Sequence, residues 1–81
     1  MTVSVILFAA ARDLAGADSL AVELPAGATV ADLRAELARR VPALAGLLAR
    51  SAVALNHDFT EDERVISPAD ELAVIPPVSG G

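Results

Sequence analysis

The sequence predicts an α+β domain in which one main helix packs on one face of a four- to five-stranded mixed sheet. Three observations carry that prediction. Short apolar runs with strand character begin near Thr2, Leu20, Ala52 and Glu71. A single longer stretch, from Val30 to Val41, spaces its apolar residues as a helix does. The first and last runs can lie side by side, which requires parallel pairing.

Taken in order, Thr2 to Phe8 is a strand by residue type, with Val3, Val5 and Leu7 on one face and Ser4, Ile6 and Phe8 on the other. "AAARDLAG" follows as a short helical turn closed by Gly16. "LAVEL" (Leu20 to Leu24) alternates, with Leu20, Val22 and Leu24 inward, and "PAGA" breaks it. Thr29 is a helix N-cap, and Asp32 three residues later is a short version of the capping-box acid. Val30, Leu33, Leu37 and Val41 then form the apolar stripe. Pro42 discourages further helix, because the residue before a proline avoids the helical region. "ALAGLLAR" is a second short turn that packs Leu44, Leu47 and Leu48 downward, and "AVALN" (Ala52 to Asn56) is the third strand. "NHD" is a turn and "TEDER" a charged loop; Val65 and Ile66 make a very short strand at most. "SPAD" is a turn with Pro at its second position, and "ELAVI" (Glu71 to Ile75) is the last strand.

This is the β-grasp, or ubiquitin-like, order of elements. The chain divides into a β-grasp domain over 1–75 and a C-terminal Pro-Pro…Gly-Gly tail over 76–81 that is expected to be flexible. At 81 residues it makes one domain, and a chain of this size buries roughly 60% of its unfolded surface. That leaves no room for a deep enclosed pocket and argues against an independent enzyme.

Net charge is −5, and all six basic residues are Arg. An acidic chain is a poor binder of nucleic acid or of anionic membranes. No apolar run approaches the ~18 residues of a membrane span, and the start "MTVSVILFAA" has no basic region before its apolar run. The expected location is cytoplasmic. The absence of Cys excludes disulfides, thiolate metal sites and a Cys nucleophile.

Asp58, Glu61, Asp62 and Glu63 form an acidic cluster, but it lacks the Gly of a calcium loop and reads as a solvated face. His57 is the only His and has no metal-ligating companions. Asp70 beside Glu71 reads as turn chemistry rather than an acid–base pair. No nucleophile motif or phosphate-binding glycine loop is present.

The tail "PPVSGG" is the distinctive segment. Pro76 and Pro77 cannot donate ladder hydrogen bonds, so the sheet must stop there, and they favour an extended course. Val78, Ser79, Gly80 and Gly81 follow with little bulk at the tip. From Ile75 the tail can project its carboxylate about 20 Å, which suits threading a terminus into another protein's active site. Strand alternation also places Ile6, Phe8, Ala73 and Ile75 together on the face away from the helix, as an apolar patch leading into that tail.

Over nearly its whole length the chain resembles the small, sulfur-carrier subunit of molybdopterin synthase. The resemblance rests on "FAAARDLAG", "TVADLRAEL", "ALN" and "DELAVIPPVSGG". It implies that an ATP-dependent, E1-like activating enzyme adenylates Gly81 and that a sulfur donor converts the adenylate to a thiocarboxylate. The tail then enters the large catalytic subunit and gives its sulfur to the pyranopterin precursor. It further implies a heterotetramer, with Gly81 as the reacting group and Pro76 to Gly80 in the channel; the apolar patch of Ile6, Phe8, Ala73 and Ile75 is the expected partner interface. The carrier itself is then non-catalytic and keeps no resident cofactor; ATP is used by the activating enzyme. Three other readings stay open: a carrier for another pathway of the thiamine type, a ubiquitin-like protein modifier, and a plain β-grasp binding module.

Overall fold

A computed structural model describes residues 1–77. Strand β1 (Thr2–Leu7) leads to helix α1 (Ala9–Ala15), strand β2 (Ser19–Glu23) and helix α2 (Val30–Arg40). A 3-10 turn (Pro42–Leu44) then runs into α3 (Ala45–Leu48), followed by strands β3 (Ala52–Leu55), β4 (Asp58–Thr60) and β5 (Leu72–Ile75).

The five strands form one mixed sheet in the order β2-β1-β5-β3-β4. β1 is antiparallel to β2 and parallel to β5, with Val5 opposite Leu72 and Leu7 opposite Val74. β3 is antiparallel to both β5 and β4. The last strand in sequence is therefore the middle strand of the sheet, as the β-grasp order requires.

Helix α2 begins where the capping chemistry says it should. Thr29 Oγ1 accepts from Asp32 N at 3.3 Å, and Thr29 N donates to Asp32 Oδ2 at 2.9 Å. Its buried stripe of Val30, Leu33 and Leu37 packs with Val3, Val5, Leu72 and Val74 of the central strands in a single core. Val41 lies one residue past the helix and is half-buried, so the stripe ends at Leu37. α1 closes on Gly16 at φ 72°, a left-handed conformation that suits Gly, whose N–H donates to Arg12 O at 2.9 Å.

Arg34 extends the reach of α2. Its Nη1 donates to the carbonyls of Leu48 at 2.6 Å and Ser51 at 2.8 Å, and its Nε to Asp62 Oδ1 at 2.8 Å. One guanidinium thus ties the residue before β3 to the loop after β4.

The fourth strand is not where the apolar pair Val65–Ile66 points. Val65 makes only an isolated bridge to Thr29, and Ile66 is a core residue whose N–H donates to Ala28 O at 2.8 Å. The strand is Asp58–Thr60, paired to β3 through the two-residue turn Asn56–His57. Both turn residues have positive φ, 52° and 72°, the geometry that joins twisted antiparallel strands tightly. β4 lies at the sheet edge with Asp58 and Phe59 exposed, so it lacks the inward apolar alternation that marks a strand in sequence.

Candidate functional site

The face of the sheet turned away from the helices is apolar across four strands. Ile6 lies opposite Ala73, Ala73 opposite Ala54, and Ala54 opposite Phe59. This row has bulky side chains at its ends and two methyl groups in the middle. The result is a shallow concavity of about 240 Å³ that also takes in Phe8 and Ile75. Phe8 is 47% and Phe59 72% exposed, unusual exposure for rings that could otherwise bury their area.

Each residue is held there by its element. Ile6 and Ala73 alternate with the buried Val5, Leu7, Leu72 and Val74. Phe8 follows β1, and its N–H reaches Val74 O at 3.4 Å, keeping it beside β5. The structure thus brings Ile6, Phe8, Ala73 and Ile75 together on one face. It adds Ala54 and Phe59, which the sequence reading did not place there. Ala54 was legible by alternation with Val53 and Leu55; Phe59 required recognising Asn56–His57 as a hairpin turn.

The polar rim lies at the hairpin end. His57 and Glu71 line the concavity, with His57 Nε2 4.0 Å from Glu71 Oε1. Behind them Asn56 Nδ2 donates to Asp70 Oδ1 at 2.9 Å, and Glu71 N donates to Asn56 Oδ1 at 2.8 Å. Asp70 also accepts from Ser67 N at 2.7 Å. That backbone donor first, and Asn56 second, hold its carboxyl below the usual range. Asp70 therefore serves the turn.

The acidic residues do not act as a group. Asp62 is engaged by Arg34, Asp58 belongs to β4, and Glu61 and Glu63 are exposed. Among the described residues no three His, Asp or Glu side chains converge as metal ligands would. Nor is any helix among them long and apolar enough to cross a membrane.

Ile75 is the last strand residue; Pro76 after it is buried and Pro77 exposed. The expected tail and reacting residues Val78, Ser79, Gly80 and Gly81 lie outside the described residues.

An apolar face running into a Pro-Pro…Gly-Gly terminus narrows the comparison with known proteins, and the sequence profile of the ThiS family matches residues 5–81. The chain belongs to the ThiS family. Within it, the chain is 39% identical over 79 residues to the molybdopterin synthase sulfur carrier subunit of Arabidopsis thaliana, covering 98% of this chain and 82% of the relative. The human protein of the same name is 34% identical over 82 residues, covering 98% and 93%. Among solved structures, SAMP1 from Haloferax volcanii superposes with a TM-score of 0.89 at 29% identity, covering the whole of both chains. The ubiquitin-like β-grasp architecture of this ThiS-family chain agrees with that likeness.

Proposed function

We propose that this chain is the sulfur-carrier subunit of a cytoplasmic molybdopterin synthase. The observation that carries the reading is the apolar outer face, which ends at Ile75 where "PPVSGG" departs; near-full-length identity to sulfur carrier subunits supports it. In this reading the face docks on the large catalytic subunit, and the tail enters that subunit's active site.

The chemistry uses the main-chain terminus. A carboxylate oxygen of Gly81 attacks the α-phosphorus of ATP on an E1-like activating enzyme, and pyrophosphate leaves. A hydrosulfide-level sulfur released by the donor then attacks the acyl carbon, the acyl–phosphate bond breaks and AMP leaves, giving the thiocarboxylate. In the synthase the sulfur passes to the pyranopterin precursor, and water returns Gly81 to the carboxylate. ATP is bound by the activating enzyme, and the carrier keeps no resident cofactor. The domain contributes position rather than catalysis, and an assembly of two carriers with two large subunits fits one docking face per carrier.

Mass spectrometry of the C-terminal peptide from native protein tests the proposal. Oxygen-to-sulfur exchange at Gly81 is expected; a plain carboxylate in cells actively making the cofactor would overturn it. A second reading, covalent protein modification, is favoured by the likeness to SAMP1, a small archaeal modifier protein. Its signature is an isopeptide adduct of Gly81 in cell extracts.

A further inference from the structure

The concavity on the outer face has a size and a rim that limit what can fill it. Ala73 and Ala54 form its floor, and Ile6 and Phe59 stand on the flanking strands, three strand spacings or roughly 14 Å apart. Phe8 closes the β1 side as well, so each wall carries a ring. The floor is low because methyl groups occupy two neighbouring strands where larger side chains would level the sheet. At about 240 Å³ the space is smaller than the roughly 300 Å³ at which small-molecule pockets begin. It exceeds the ~150 Å³ that holds a benzene ring in an apolar cavity. One large side chain fits there, and a cofactor does not.

The rim adds a charge at one end. Glu71 lines the concavity beside the hairpin, its carboxylate 4.0 Å from His57 Nε2. Arg64 lines a different hollow, beyond Phe59, with Glu61 and Glu63. An apolar floor, aromatic walls and a carboxylate at one end are complementary to an aromatic side chain with a cation beside it. Leu or Met would fill the same volume, but rings on both walls favour a third ring through edge-to-face contact. Ile75, the last strand residue, lines the same space, so a group seated there also sets where the chain leaves the sheet relative to its partner.

We propose that the large subunit docks by seating one aromatic side chain on Ala54 and Ala73, with an adjacent arginine or lysine of its own at Glu71. The inference rests on the carrier reading, which supplies the partner, and adds the chemistry of the partner's contact. The buried ring supplies affinity. The cation, able to pair at only one end of the concavity, decides which way round the partner sits.

Calorimetric titration of the large subunit into the full chain reads both contacts. Ala73→Leu fills the floor without adding charge and is expected to weaken binding about tenfold or more. Ala73→Val, β-branched and suited to a strand, fills less of it and weakens binding less. Both variants should keep wild-type circular dichroism, since Ala73 faces outward and is half-buried. Glu71→Gln should weaken binding about two- to fivefold and flatten its dependence on salt, as loss of a screened rim pair does. A double-mutant cycle then finds the anchor: an aromatic of the large subunit whose change to Ala is costly against wild type and nearly free against Ala73→Leu. Wild-type affinity in a folded Ala73→Leu or Ala73→Val chain would overturn the inference, as would a Glu71→Gln chain with unaltered affinity and salt dependence. If Phe8→Asp and Phe59→Asp break binding while the Ala73 variants do not, the docking face stands and the anchor is discarded. A wild-type chain that does not bind the large subunit would overturn the carrier reading and this inference with it.

Discussion

Asn56 Nδ2 donates a 2.9 Å hydrogen bond to Asp70 Oδ1, joining the tip of the β3–β4 hairpin to the turn that launches β5. Asn56 makes two more bonds to the same segment: its Oδ1 accepts from Glu71 N at 2.8 Å and its N donates to Glu71 O at 2.7 Å. It does so at φ 52°, a conformation Asn tolerates better than most residues. Asn56→Ala is expected to cost about 1–2 kcal/mol, from two lost side-chain bonds and backbone strain. In a domain of this size that lowers Tm by roughly 5–10 °C. Asn56→Gly removes the bonds but not the backbone freedom, so its Tm should fall in between. A glycine variant as stable as wild type would show that the side-chain bonds contribute nothing.

His57 supplies the second turn residue at φ 72° without a comparable compensation. His57→Gly converts the turn to Asn-Gly, the pairing such hairpins favour. Thermal melts should register a gain of about 0.5–1 kcal/mol. A loss would mean that the His57 side chain, 4.0 Å from Glu71, contributes more than its backbone strain costs.

The outer face should bind without being needed for folding. Phe8 and Phe59 are well exposed, so Phe8→Asp and Phe59→Asp should leave circular dichroism and melting near wild type. Ile75→Asp, at a half-buried position, should cost some stability as well. A buried Phe contributes up to ~3 kcal/mol, so a charge in its place should weaken association with the large subunit about a hundredfold or more. A titration with unchanged affinity for Phe8→Asp and Phe59→Asp would put the interface elsewhere.

Deleting Gly81 should abolish conversion of the pyranopterin precursor while the melting curve is unchanged. Gly80→Leu should slow adenylation or sulfur transfer by adding bulk at the tip. Normal rates in both steps for Gly80→Leu would show that the channel tolerates side chains there.

Acid should weaken the fold through two carboxylates. Hydrogen bonds from Arg39 and Arg40 hold Glu36 at about 2, down from 4.5. The N–H of Ser67 and the amide of Asn56 hold Asp70 low. A depressed folded pKa adds stability that is present above the unfolded value and is lost as pH falls through the folded one. Urea midpoints should therefore drop as pH falls from about 4.5 to about 2. The Glu36→Gln, Asp70→Asn double variant should drop less; parallel curves would place the acid sensitivity in other groups.

The sequence made the core and most of the apolar outer face readable for one reason: strand and helix periods leave a signature wherever one side is buried. Val3, Val5, Leu7, Leu72 and Val74 alternate, Val30, Leu33 and Leu37 recur at helical spacing, and Thr29 with Asp32 marks the helix start. β4 escaped because it is three residues long, sits at an edge and turns Phe59 to the exposed side, so burial imposes no pattern on it. Without β4 the concavity lost its far wall, and Phe59 and Ala54 went unassigned. Arg34 was equally hidden, since one Arg on an acidic chain gives no sign that it will meet two carbonyls and Asp62.

The central position of β5 has a consequence for how the protein is made. A ribosome delivers the chain from Met1 onward, so the strand that pairs with both β1 and β3 is the last to emerge. Until it does, β1–β2 and β3–β4 are separate hairpins, and a distant pairing must still close between them. An unfinished or clipped product that lacks β5 therefore lacks the middle of the outer face, not merely the sulfur-bearing tip. On the docking role proposed for this face, a fragment without β5 offers a partner only its two separated flanks.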